Sequence, residues 1–231
     1  MDVASLMAPL TQDLQSEEGE ENTVEAIAAK AITMLPDAQC VSLTVPAGRG
    51  RHQTLVSTDP MAEKADAAQY ALAEGPCLDA AHEVEWTRSG NVREDVRWPR
   101  WGPEANALGV GSLLSVALFA QSGRVGALNM YNDKPGRFAD RDEVDLALIF
   151  AAHAGHALGT ARLFAGLQTA LVSRHEIGAA QGILMERFGL SLEQSFALLR
   201  RLSSHSNIKI AAIAHRIVET GELPDTGRPQ D

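Results

Sequence analysis

Three kinds of periodicity divide the chain. From residue 23 to 35, apolar side chains return every three or four positions, at Val24, Ile27, Ala28, Ala31 and Leu35, which is the spacing of a helix with one buried face. Thr23 supplies an N-cap hydroxyl and Pro36 stops the helix, while the acidic run 16–22 (SEEGEEN) ahead of it reads as a solvated loop. Residues 40–45 (CVSLTV) then alternate apolar with small polar side chains. Residues 53–57 pair with them across a turn rich in Pro, Gly and Arg, which predicts a β-hairpin. A second helix is predicted over 61–73, ending at Gly75-Pro76. Beyond it the pattern predicts loop, short strand and loop, because 93–102 (REDVRWPRWG) carries too much charge, Pro and Trp for regular structure. Residues 112–119 (SLLSVALF) and 125–131 (VGALNMY) flank Gln121-Ser122-Gly123 and predict an antiparallel pair. These elements add up to an α+β domain, an antiparallel sheet with flanking helices.

From Asp140 to about Phe188 there is no proline, and Leu146, Ile149, His153, His156, Thr160, Leu163, Leu167 and Leu171 keep a near-heptad rhythm. That pattern predicts one long helix leaving the first domain and forming a seam with a second copy. The plainer alternative is a helix folded back on its own sheet for half its length. Gly189 marks the helix end as a C′ residue, and Ser191 with Gln194 forms a capping box opening the next helix, whose predicted core is Leu192, Phe196, Leu199 and Leu202. Asn207 caps a third helix carrying Ile208, Ala211, Ala212, Ile217 and Val218 to Gly221. The division that follows is an N-terminal segment 1–22, a domain over 23–165, an all-α three-helix module over 166–222 joined through the long helix, and a disordered tail over 223–231.

The formal net charge of −10 argues against nucleic acid as a partner only if it is spread evenly. It is not: residues 1–167 hold 13 Lys and Arg against 23 Asp and Glu, whereas 168–216 hold six basic residues (Arg174, Arg187, Arg200, Arg201, Lys209, Arg216) against three acidic ones. The C-terminal module is therefore mildly cationic. The first fifteen residues have neither a basic leader nor an uninterrupted apolar run, and no stretch approaches the roughly 20 apolar residues that span a bilayer, so the expected location is the cytoplasm, without a membrane. Cys40 and Cys77 are too few for a disulfide framework or a zinc cage. His153 and His156 share a helix face but have no nearby carboxylate or Cys to complete a metal site. No P-loop, nucleophile elbow or spaced His/carboxylate set appears, which excludes the common enzyme classes; no catalytic residue, cofactor or metal is expected. His175-Glu176-Ile177 lacks the Arg-Thr-Pro continuation of a histidine-kinase phosphoacceptor box.

On a helical wheel Ile177, Ala180, Leu184 and Phe188 form a core face, and Arg174, Gly178, Gln181, Gly182 and Met185 share another. The second face can pair with phosphate through Arg174, hydrogen-bond through Gln181, and admit a backbone or splayed base at its glycines. It also continues the Leu163, Leu167, Leu171 seam, so the glycines equally allow a second helix to approach. Arg200 and Arg201 suit phosphate contacts or the helix C-terminal dipole, and Lys209 is a weaker case of the same kind.

Residues 173–218 resemble the ANTAR family of transcription antitermination regulators, through Ile177, Ala180, Gly182, Ile183, Leu184 and Met185, then Ala197-Leu198-Leu199-Arg200, then the third helix. Many members have Lys before the central Gly, where this chain has Gln181. Residues 20–165 resemble the GAF domains often fused to that module, through Glu74-Gly75-Pro76-Cys77-Leu78-Asp79-Ala80, Arg97-Trp98-Pro99-Arg100, and the strands carrying Leu113 and Gly126-Ala127-Leu128-Asn129. The resemblance implies an RNA-binding antiterminator that sequesters paired hairpin loops in nascent transcripts, controlled by a GAF sensor that takes a small-molecule ligand or protein partner whose site residues are unknown. The competing reading is a GAF-regulated helix-turn-helix DNA-binding factor, disfavoured because the Ala- and Ile-rich third helix is a poor major-groove reader; a pure protein-interaction module is the third.

Overall fold

The computed structural model describes residues 10, 12–14, 17 and 19–223. The chain folds as two compact units, Met1–Leu163 and Phe164–Asp231. The tail expected to be disordered, from residue 224 on, and most of the segment before residue 17 lie outside the described residues.

The first unit is built on a five-stranded sheet of β1 (Cys40–Pro46), β2 (His52–Ser57), β3 (Trp86–Ser89), β4 (Ser112–Ala120) and β5 (Gly123–Asn132), in the order β2-β1-β5-β4-β3. Every neighbouring pair is antiparallel. The alternation in β1 does not separate inside from outside, since its first six residues are all buried. It selects between two buried faces. Val41, Leu43 and Val45 join a core with Val24, Ile27 and Ala31 of helix α1 (Glu20–Met34) and Phe150, Ala154 and Leu158 of helix α5 (Arg141–Phe188). Cys40 joins a smaller core with Ala62, Ala65, Trp98, Trp101, Leu113 and Tyr131. Helices α2 (Pro60–Leu72), α3 (Pro76–His82) and α4 (Trp101–Ala107) cover that second face.

Three expectations are corrected here. Thr23 is not the N-cap of α1: the helix begins at Glu20 behind Gly19, inside the stretch read as a loop, and the Thr23 hydroxyl donates back to the Gly19 carbonyl at 2.7 Å. Helices α3 and α4 occupy segments expected to be loops. Glu74 accepts the backbone N–H groups of Arg100 and Trp101 at 2.7 and 2.9 Å, satisfying the start of α4 from 26 residues away, and the Gln69 side chain accepts the Cys77 N–H at 2.7 Å at the start of α3. The Glu74 cap is long-range and leaves no local signature, whereas α3 carries one in Pro76 at its first position. The tryptophans that argued against regular structure are the packing elements: Trp101 is fully buried and donates to the Ala65 carbonyl at 3.0 Å.

Helix α5 is 48 residues long. Its first part presents Val144, Ala147, Phe150, Ala151, Ala154 and Leu158 to the sheet, which is the plainer of the two readings of its pattern. Gly155 is required there, because a Cβ would run into the Phe119 backbone at 2.5–2.6 Å. Residues 163–172 are exposed all round, with Leu163, Phe164, Leu167, Leu171 and Val172 at 54–68%. Contrary to the expectation that no stretch approaches the requirement, α5 is, among the described residues, long and apolar enough to cross a membrane by composition, although 44% of that window is buried within the protein.

In the second unit Gly189 takes the left-handed conformation (φ +63°) after α5. The Ser191–Gln194 capping box opens α6 (Leu192–Ser206) as predicted. Asn207 does not cap the third helix; it ends α6 in the left-handed conformation, and α7 (Ile210–Thr220) starts behind Lys209 without a side-chain cap. The core consists of Ala180, Leu184, Leu199, Leu202, Ile213, Ala214 and Ile217. Leu192, Phe196, Phe188, Ile208 and Val218, expected in it, are 40–60% exposed. The buried face of α6 runs Ser195, Leu199, Leu202, which turns Phe196 about 100° away.

Candidate nucleic-acid interface

Between α5 and α6 lies a cleft of about 600 Å³, lined by Ala170, Ser173, Arg174, Ile177, Gly178, Gln181 and Phe196. Steps of three and four bring the α5 residues onto one side of the helix, and Phe196 faces them from the first turns of α6. Arg174, Gly178 and Gln181, predicted from sequence, thus share one concavity. Met185 is half-buried and Gly182 exposed on the same helix, outside the lining. Arg200, Arg201 and Lys209 are exposed but do not line the cleft.

Gln181 donates from Nε2 to the Leu192 carbonyl at 3.0 Å and to the Ser195 hydroxyl at 3.3 Å, and that hydroxyl donates to Leu192 O at 2.8 Å. Its amide nitrogen is therefore engaged in tying α5 to the start of α6. A Cβ added at Gly178 or Gly182 would meet nothing within 4 Å among the described residues, unlike one at Gly155. Internal packing does not require these glycines, each of which costs a helix about 1 kcal/mol relative to Ala. Phe196 and Ile177 are the members of the cleft that sequence reasoning placed in the core, and Ile177 also packs partly against that core. The signal for Phe196 was the neighbouring Ser195, a small polar residue that fits the buried contact with Gln181 better than the ring does. On α7, His215 lies 2.8 Å from Glu176 and 3.3 Å from Glu219, and its pKa is raised by the Glu176 hydrogen bond and then by the Glu219 charge. A principal polar group on the outer face of the third helix is therefore held by carboxylates, a poor arrangement for reading a DNA groove.

The first unit holds a second arrangement of note. Asp66 is fully buried and accepts hydrogen bonds from Tyr131, from Thr54 at 2.9 Å and from Asn129 at 3.3 Å. Burial outweighs those bonds and pushes its carboxyl up to about 6. Asn129 Oδ1 and Ser115 Oγ, opposite each other in the β4–β5 register, are buried without a partner among the described residues. Beside this wall a cavity of about 650 Å³ is lined by residues including His52, Tyr70, Asp79 and His82, and Tyr70 is hydrogen-bonded to Thr44 and Thr54 at 2.8 and 2.9 Å. Cys40 and Cys77 are both buried; burial pushes the Cys40 thiol up to about 12 and the Cys77 thiol well above its ordinary value, the opposite of what a reactive thiolate needs. Among the described residues no group of three or more His, Cys, Asp or Glu is placed to hold a metal ion.

Residues 17–159 match the family model of the GAF domain, and residues 165–218 match that of the ANTAR domain. The chain belongs to the GAF family and carries an ANTAR domain. As a GAF–ANTAR fusion it falls among regulated antitermination proteins, since ANTAR domains are RNA-binding antitermination modules, and both domain types are regulatory rather than catalytic. Comparison with curated proteins gave no match. Among solved structures, the GAF fold of this chain is similar to the GAF domain of a phosphoenolpyruvate-protein phosphotransferase from Coxiella burnetii (15% identity, 72% of this chain and 98% of that one, TM-score 0.56). It is also similar to the GAF domain of the Acinetobacter phosphoenolpyruvate-protein phosphotransferase (13%, 71% and 97%, TM-score 0.55). A third similar structure is the free methionine-R-sulfoxide reductase from Neisseria meningitidis in complex with its substrate (12%, 70% and 90%, TM-score 0.53). At these identities the likeness is one of fold.

Proposed function

We propose that this GAF–ANTAR protein binds paired hairpin loops in nascent transcripts and favours read-through of a terminator, under control of its GAF domain. The observation that carries the reading is the cleft of the ANTAR domain, where Arg174, Gly178 and Gln181 meet an exposed aromatic ring. Arg174 offers a phosphate partner, the glycines allow close approach, and Gly182, Met185, Arg200, Arg201 and Lys209 extend the surface with two further arginines and a lysine. In this reading residues 23–165 sense and residues 166–222 bind. A nascent transcript as target places the work in the cytoplasm. The GAF domain receives a small molecule or a protein partner, and the exposed Leu163, Leu167 and Leu171 are covered by the same helix of a second copy in a parallel seam.

Titrating the full chain against an RNA carrying two adjacent hexanucleotide-loop stems, with duplex DNA as control and at several salt concentrations, tests the function. The expected result is loop-dependent RNA binding that weakens as salt rises, with Arg174→Ala lowering the salt slope by about 1. Tighter binding to DNA than to RNA would instead support the helix-turn-helix alternative.

A further inference from the structure

From the geometry of the ANTAR cleft we infer that Phe196 is the stacking platform for an unpaired RNA base, with Arg174 holding the phosphate attached to it. The inference rests on the RNA-binding reading above and names the group that the cleft takes. Phe196 is 40% exposed, and its ring forms a wall of a cleft whose other apolar surfaces are Ala170 and Ile177. About 600 Å³ falls within the roughly 300–1,000 Å³ usual for small-ligand sites. The cation in the lining is Arg174, and Gly178 leaves the backbone open beside it. A flat π surface, a guanidinium and an open backbone suit a planar group linked to an anion, which describes a splayed nucleotide.

Gln181 acts as a positioning residue. Its amide bonds to Leu192 O and Ser195 Oγ fix the first turn of α6, and Ser195 is the residue immediately before Phe196. The amide donor is thereby spent inside the protein, and recognition of the base passes to the ring and to the arginine.

The test uses the full chain and the two-stem RNA with 2-aminopurine placed singly at each loop position, against Phe196→Trp, Phe196→Leu and Phe196→Ala. Because the ring is partly covered, Phe196→Ala should lower melting modestly, whereas the Trp and Leu variants should keep helicity and melting close to wild type. Wild type and the Trp variant should quench 2-aminopurine at one loop position. The Leu and Ala variants should lose that quenching and bind about ten- to a hundredfold more weakly, the range one base–aromatic stack is worth, with the salt slope unchanged because no phosphate contact is lost. If wild type binds loop RNA but the Ala or Leu variant binds as tightly, or no loop position is quenched, the stacking role is overturned and the RNA reading stands. If wild type binds no loop RNA, both fall.

Discussion

Gly178 and Gly182 sit in a helix with open space among the described residues where a Cβ would go, so replacing either by Ala should stabilise the second unit by up to about 1 kcal/mol per site and raise its melting temperature. If those positions face RNA, the same variants should weaken loop binding while leaving the oligomeric state alone; if they face a second helix, sedimentation should show weaker self-association instead. Asp66 makes a different prediction. Its pKa is raised to about 6 by burial, so between about pH 4 and pH 6 the folded protein keeps a proton that the unfolded chain has released. Its contribution is fully present at low pH and is lost as pH rises through about 6, on the order of 3 kcal/mol for a shift of this size. Denaturant midpoints followed across that range should decline with pH in the wild type, and Asp66→Asn should remove this part of the slope. An unchanged slope in the variant would mean that another group carries it.

At the scale of elements, what could be read from sequence was whatever is decided locally. The capping box at Ser191 and Gln194, the turn at Gln121-Ser122-Gly123, the C′ glycine at 189 and the proline-free run after Asp140 are short-range signals, and each is found in the fold. Helix α4 was illegible because its first N–H groups are satisfied by Glu74, a partner that only the tertiary fold brings near, whereas α3 opens on Pro76, a start signal that was read only as the stop of the helix before it. Part of the candidate cleft was legible for the same reason: Arg174, Gly178 and Gln181 lie on one helix, whereas Phe196 joins them from another through the contact of Gln181 with Ser195. Asn207 was read as opening α7 because Asn serves at both helix ends, and the left-handed conformation it adopts decides for the end of α6. The unbroken course of α5 motivates a further prediction. Ala165→Pro removes a backbone donor in the exposed stretch and breaks the helix there, so the GAF domain should no longer alter RNA binding, although each unit keeps its own melting transition. A variant that responds as wild type does would show that the helix is not the route.

For the whole molecule, acidic and basic residues are divided by role: the GAF portion carries the excess of carboxylates and the ANTAR module the arginines of the cleft and of α6. Net charge therefore opposes long-range attraction to RNA while the local surface favours it, so association should be slower, and less steeply weakened by salt, than for a variant whose acidic surface is neutralised, because salt also screens the repulsion from the acidic half. Sedimentation over a concentration series should also show dimers if the exposed leucines of α5 form a seam, and Leu167→Glu should shift the population to monomers. Those bare helical turns, residues 163–172, carry one more consequence. A helical segment with no packed neighbour opens at little free-energy cost, and its Phe and Leu side chains are what a chymotrypsin-like protease cuts after. A copy that has found its partner would hide them; a solitary copy would be nicked between two intact halves. The lifetime of the regulator would then be set by its state of assembly, and the amount present in a cell would report on signalling as well as respond to it.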